Sequence, residues 1–137
     1  MNRKLKFRVW DRLVKQFIYP DKGYQGHYVL DLNGRFQNLQ NGSGGNEYVV
    51  QQYTGFEDIN RKEIFEGDII EFEVPTKDNS TKKLTATIDY GLGAFLVMAK
   101  SEDGDLLFPL LHDLHDKIYK YQIKIIGNSF ENPELLN

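Results

Sequence analysis

The chain has no cysteine. That excludes disulfide staples, thiolate zinc sites and a cysteine nucleophile, and it fits a reducing cytosol. There is no apolar run of signal-peptide length at the start and no stretch that approaches a membrane span, so a soluble cytoplasmic protein is expected. No sign of charge dominates. The chain has 17 Lys and Arg against 20 Asp and Glu, a net charge of −3, which leaves the whole protein without a bias toward nucleic acid or anionic lipid. Nucleophilic catalysis has little to stand on: Ser43, Ser80, Ser101 and Ser129 fall in expected loops with no His nearby in sequence, and no Gly-x-Ser-x-Gly elbow is present. The glycine-rich stretch 41–46 lacks both the Walker lysine pattern and the Rossmann spacing, so it reads as a loop.

What the chain does have is a core and an excess of strand formers. Its 137 residues suit one domain, or one domain with a small lobe. Hydrophobic residues make up 40% of the chain and aromatics 13%, mostly Phe and Tyr, which favours strands. Leu5, Phe7 and Val9 alternate with Lys4, Lys6 and Arg8, the two-residue period of a half-buried strand, with Trp10 on the basic face. Residues 16–19 read as its hairpin partner, stopped by Pro20. Tyr28, Leu30 and Leu32 alternate again, and Asn33-Gly34 predicts a type I′ turn with positive φ at both positions. The loop at 41–46 is the expected boundary between an N-terminal hairpin lobe, 1–46, and a barrel domain, 47–137.

Beyond that loop, 48–53 is strand-like and 54–61 reads as a turn-rich connection. Ile70, Phe72 and Val74 alternate with Glu71 and Glu73. Leu84, Ala86 and Ile88 form the inner face of the next strand, and Gly91-Leu-Gly93 allows a tight turn into 94–99. Residues 121–126 read as the closing strand. A helix is predicted from Pro109, with Leu110, Leu111, Leu114 and Ile118 on one face. The fold expected is therefore mainly β with one short helix: a partly open SH3-like barrel with an N-terminal hairpin lobe. Phe7, Val9, Ile70, Phe72, Ile88 and Ile125 are the expected core.

Two patterns carry ligand chemistry. On the predicted helix His112, His115 and Asp116 share a face, as a zinc, nickel or manganese site would need. Both histidines lie opposite the leucines and no further His or Cys cluster completes a site, so a solvated polar face without metal is the preferred reading, and no cofactor is expected. The second pattern is basic. Arg3, Lys4, Lys6, Arg8, Arg12 and Lys15 crowd the first fifteen residues against Asp11 alone. Lys4, Lys6 and Arg8 would neutralise phosphates, and Trp10 would stack on a base. The acidic remainder of the chain argues against this, and a structural role for Trp10 is preferred.

Three segments resemble a known family. The central one is Gln52-Tyr-Thr-Gly-Phe-Glu-Asp-Ile-Asn-Arg-Lys-Glu-Ile-Phe-Glu-Gly-Asp-Ile-Ile70. Lys6-Phe-Arg-Val-Trp-Asp11 precedes it, and Ile126-Gly-Asn-Ser-Phe-Glu-Asn-Pro-Glu-Leu135 closes the chain. Together they resemble the YopX-like proteins, carried mainly by bacteriophages and prophages, a family without a settled biochemical activity. The resemblance implies a phage accessory protein in the cytoplasm of a bacterial host. It marks Gly55, Gly67, Asp68, Gly127, Asn128 and Pro133 as structural positions. Glu66 and Asp68 could form an acid/base or metal pair, but pinning a turn is the preferred role. Relatives tend to have Asn-Gly where this chain has Asn60-Arg61, so a different turn is expected there. Pro133 suits the first turn of a short helix capped by Asn132. The aromatic content and the Leu135-Leu136 tail suggest a homo-oligomer. The function expected is non-enzymatic binding of a protein partner. A nucleic-acid-binding regulator using the basic first strand is the alternative.

Overall fold

The computed structural model describes residues 4–19, 26–101, 104–109 and 120–136, most of them in strands and turns. The chain forms two compact units, Met1–Tyr53 and Thr54–Asn137. The division thus falls after Tyr53, not at the glycine-rich loop.

The first unit holds β1 (Phe7–Asp11), β2 (Gln16–Ile18), β3 (Tyr28–Leu30), β4 (Phe36–Asn38), β5 (Ser43–Gly44) and the start of β6 (Tyr48–Glu57). β1 lies between β2 and β6, antiparallel to both. β3, β4 and β5 form a second small antiparallel sheet. The stretch read as a free loop is therefore ordered: Asn38 pairs with Ser43, and a short 3-10 helix, Gly45–Glu47, leads into β6.

Turns in this unit are organised by aspartates. Asp11 Oδ1 accepts the backbone N–H groups of Leu13 and Val14, and Lys15 takes φ 55°. At the β3–β4 tip Asp31 Oδ1 accepts N–H from Asn33 and Arg35, and only Gly34 is left-handed, with φ 77°. The hairpin expected at Asn33-Gly34 is present, but its turn is not type I′. The Asp31 side chain satisfies the turn donors, so one left-handed residue suffices. The backbone N–H of Arg35, foremost, holds the Asp31 carboxyl below its ordinary pKa.

The second unit contains the end of β6, then β7 (Glu63–Phe65), β8 (Asp68–Pro75), β9 (Thr81–Gly91), β10 (Ala94–Ser101), β11 (Gly104–Pro109) and β12 (Lys124–Asn128). The last five pair antiparallel in the order β11-β10-β9-β8-β12, a curled half-barrel. Cross-strand neighbours Phe72 and Leu84, Ile70 and Ala86, and Val97 and Ile88 build its core with Ile64, Ala99 and Ile123. Of the expected core residues Ile70, Phe72 and Ile88 are buried here and Val9 in the first unit, while Ile125 and Phe7 are half-buried. A bulge at Ile126, where β12 shifts register against β8, adds curl.

Pro109, where the sequence predicts the first helical residue, ends strand β11 opposite Leu96. Period alone separates short apolar strands from helices poorly, and Leu106-Leu107-Phe108-Pro109 is such a run. The rest of the predicted helix lies outside the described residues. The closing strand begins at Lys124, later than expected. Leu92 and Gly93, with φ 51° and 78°, form the two-residue turn between β9 and β10, as read. Pro133–Leu136 is a short 3-10 helix in which Leu135 N–H bonds to the Asn132 carbonyl.

Candidate binding cleft of the first unit

The two faces of β1 have different fates. On one face Arg8 stands opposite Gln51, and Trp10 opposite both Phe17 and Val49. Alternation predicts this face to be wet. Instead Arg8 is 4% exposed and Trp10 is buried. Arg8 Nε donates to Gln51 Oε1 at 2.9 Å, and its guanidinium carbon sits 4.4 Å from the centre of the Phe17 ring. The same ring meets Trp10 edge-on at 4.9 Å. A planar, weakly hydrated guanidinium tolerates this aromatic cover where a lysine ammonium would not. Arg8 and Trp10, proposed from sequence as a phosphate contact and a stacking platform, are thus packed against Gln51 and Phe17.

The other face of β1 opens onto a cleft of about 460 Å3. Phe7 and Val9 of β1 and Ile18 of β2 line it, together with Tyr28, Leu30 and Phe36 from β3 and β4. Lys4, Leu5 and Lys6 continue the lining just before β1, and Lys4 Nζ lies 6.0 Å from the centre of the Tyr53 ring. Leu5, which alternation put on the same strand face as Phe7 and Val9, is 63% exposed, because the chain is not yet in the strand. An aromatic series backs the β3–β4 wall: His27 to Tyr28 at 4.3 Å, Tyr28 to Phe36 at 5.4 Å and Phe36 to Tyr48 at 4.8 Å. The Tyr48 hydroxyl is anchored by Ser43 Oγ at 2.6 Å. These walls suit an apolar group of side-chain to drug size, and the volume is in the range of small-ligand sites. The sequence signal was present in the aromatic spacing of Tyr28, Phe36 and Tyr48, but nothing in it showed which strands would face each other.

The positions marked by the family resemblance lie in or beside the second unit's sheet and bind its backbone. Asp68, 2% exposed, accepts the Phe65 N–H on Oδ2 at 2.8 Å. Gly67 has φ 82°, donates its N–H to the Ile88 carbonyl and accepts from Ser129 N–H. Asp68 and Gly67 thus close this turn through backbone groups. Gly55 bends β6 with φ 91°. Asn128 Oδ1 accepts N–H from Phe130 and Glu131, and a side chain at Gly127 would run into Asn132, whose Oδ1 would be 2.6 Å from the added carbon. Pro133 opens the terminal 3-10 helix.

Asp58 was missed from sequence. It is buried, its Oδ1 accepts N–H from Asn60 and Lys62, and its Oδ2 accepts from Ile125. The turn repeats the Oδ1 and backbone bonds of the one at Asp31, and the shared spacing Asp-x-Asn in Asp31-Leu-Asn33 and Asp58-Ile-Asn60 was the available signal. Arg61 takes φ 62°, so the turn expected to change without a glycine keeps the left-handed form; the Asp58 bonds hold it there. No group of three or more His, Asp or Glu among the described residues is placed to hold a metal. His112, His115 and Asp116 lie outside the described residues.

No helix among the described residues is long and apolar enough to cross a membrane. No curated protein matches the chain. Among solved structures it is similar to protein EF1440 from Enterococcus faecalis, with 28% identity and a TM-score of 0.61 over 99% of this chain and 100% of that one. The YopX protein family model matches residues 6–137, and the chain belongs to that family.

Proposed function

We propose that the chain is a non-enzymatic binding module, a phage or prophage accessory protein of the bacterial cytoplasm, which holds a protein partner in the cleft of its first unit. The observation that supports this reading is the cleft itself, a concave apolar surface with aromatic backing between two small sheets. The second unit supports it from another side. Its signature residues Gly67, Asp68 and Asn128 bind backbone groups, as a scaffold requires.

Amide shift mapping on the full-length protein tests the proposal. Titration with an array of short peptides and aromatic fragments is expected to shift Phe7, Val9, Tyr28, Leu30 and Phe36 together. Binding that leaves these five unmoved, or no binding at all, overturns it. Sedimentation velocity on the same sample tests the companion proposal of a homo-oligomer, in which a species of monomer mass at every concentration is the contrary result.

A further inference from the structure

We infer that the occupant of this cleft is an extended peptide segment that adds a strand to the open edge of β3 and inserts alternate apolar side chains. The inference rests on the reading of the cleft as the binding site and names how the occupant is held. The hydrogen-bond phase of the β3–β4 hairpin carries it. β3 is an edge strand, and among the described residues β4 is the strand it pairs with. Leu39 N–H bonds to the His27 carbonyl at 2.7 Å, and Asp31 N–H to the Arg35 carbonyl at 3.0 Å. Opposite residues of an antiparallel pair alternate between bonded and non-bonded. Val29 therefore exchanges bonds with Gln37, while Tyr28 and Leu30 turn their N–H and C=O groups away from β4. No strand among the described residues pairs with that side.

The cleft meets this edge. Tyr28, Val29 and Leu30 all line it. Consecutive strand residues point to opposite faces, so a lining that takes all three runs along the edge of β3 as well as its face. Tyr-Val-Leu contains neither lysine nor proline, the residues that commonly guard an exposed edge. Its brevity limits the added strand to a short one. An extended peptide answers these groups. Its backbone supplies both donors and acceptors, and its two-residue period sends alternate side chains toward Val9, Ile18 and Phe36. A phosphodiester backbone accepts hydrogen bonds and donates none, so it leaves the Tyr28 and Leu30 carbonyls unanswered. A folded surface is too broad for about 460 Å3. Each main-chain bond strengthens binding by up to about tenfold, and the inserted side chains add the effect of the area they remove from water.

Amide hydrogen exchange by NMR tests this on the full-length protein, free and with short peptides selected from a random library displayed on yeast. In the free protein the Tyr28 and Leu30 amides should exchange at least about tenfold faster than Val29. A selected peptide should carry apolar residues two positions apart and slow both amides by about tenfold or more. N-methylation along the peptide should weaken binding about tenfold at positions two apart and little at the position between them. Tyr28 and Leu30 amides as protected as Val29 in dilute free protein overturn the inference. Protection that grows with protein concentration, without peptide, makes a second copy the added strand and overturns it too. A peptide that shifts Phe7, Val9 and Phe36 but leaves those two amides exchanging as before, or that shows no two-residue pattern on N-methylation, overturns the added strand and keeps the cleft as the site. No selected peptide, or one that leaves the cleft residues unmoved, overturns the inference and the proposed function together.

Discussion

Asp58 shows what a buried carboxylate does in this protein. At 3% exposure its two oxygens satisfy three backbone N–H groups, two in its own turn and one at Ile125 on the closing strand. Asp58→Ala leaves those donors without an acceptor in a place water reaches poorly. A loss of about 3–5 kcal/mol in urea unfolding is expected. Asp58→Asn should cost less, because an amide oxygen can still serve Asn60 and Lys62. An unchanged unfolding midpoint in Asp58→Ala would overturn this account. Asp78 is the exposed counterpart. The Ser80 hydroxyl, foremost, and then the Thr76 hydroxyl hold its pKa down from the ordinary 3.8 to about 2. A depressed carboxylate pKa contributes stability above its unfolded value, and that contribution fades as pH falls from 3.8 through about 2. Carboxyl-detected NMR titration should place the Asp78 midpoint near 2, and Ser80→Ala should raise it toward 3.8. A midpoint already near 3.8 in the unaltered protein is the contrary result. Such roles were hard to read because one residue type, aspartate in a polar turn, suits catalysis, metal binding and turn closure alike, and only the positions of the N–H donors decide among them.

Elements were legible wherever one face met a core and the other met water. β8 is the clearest: Ile70 and Phe72 point into the half-barrel while Glu71 and Glu73 point out, and Lys83 reaches Glu71 across the sheet at 3.4 Å. Phe72 faces Leu84 with Ile70 and Ala86 beside it. Phe72→Ala should therefore cost about 3–5 kcal/mol, and a thermal melt that hardly shifts would show that the strand has the opposite phase. β1 was legible as a strand, but its faces were not. It is an interior strand, with partners on both edges, and Phe17 and Gln51 bury the face that carries Arg8 and Trp10. A charged residue in an alternating pattern normally marks solvent, and this inference fails when an aromatic ring and a side-chain amide cover the charge. β11 failed for a different reason. Its run of two leucines, a phenylalanine and a proline has no period of its own, and Pro109 fits a strand end as well as a helix start. The glycines at 42, 44 and 45 read as slack, yet Gly44 pairs with Gln37 in a space so close that an added side-chain carbon would lie 3.2 Å from the Phe36 carbonyl.

At the scale of the whole molecule the question is whether the basic start of the chain can hold a phosphate backbone. Sequence alone offers three aligned cations, Lys4, Lys6 and Arg8. The structure removes one of them: Arg8 is occupied by Gln51 and the Phe17 ring and is almost without exposed surface. Lys4 and Lys6 line the cleft on a protein of net charge −3. Each phosphate neutralised on duplex DNA contributes about −0.9 to the slope of log affinity against log salt, so two lysines give a slope no steeper than about −2. Duplex binding is accordingly expected to be weaker than micromolar at physiological salt. The informative variant is Lys4→Glu/Lys6→Glu, which alters the footprint without touching the packed guanidinium. Arg8→Glu would bring a carboxylate against Gln51 and Phe17 and unfold the sheet, so it says nothing about DNA. Fluorescence anisotropy with a labelled duplex across a salt series measures both quantities. Micromolar or tighter binding with a slope well beyond −2, abolished by the lysine pair, would mean that phosphates are gathered by cations elsewhere on the surface together with these two, and the regulator reading would then displace the peptide-binding one.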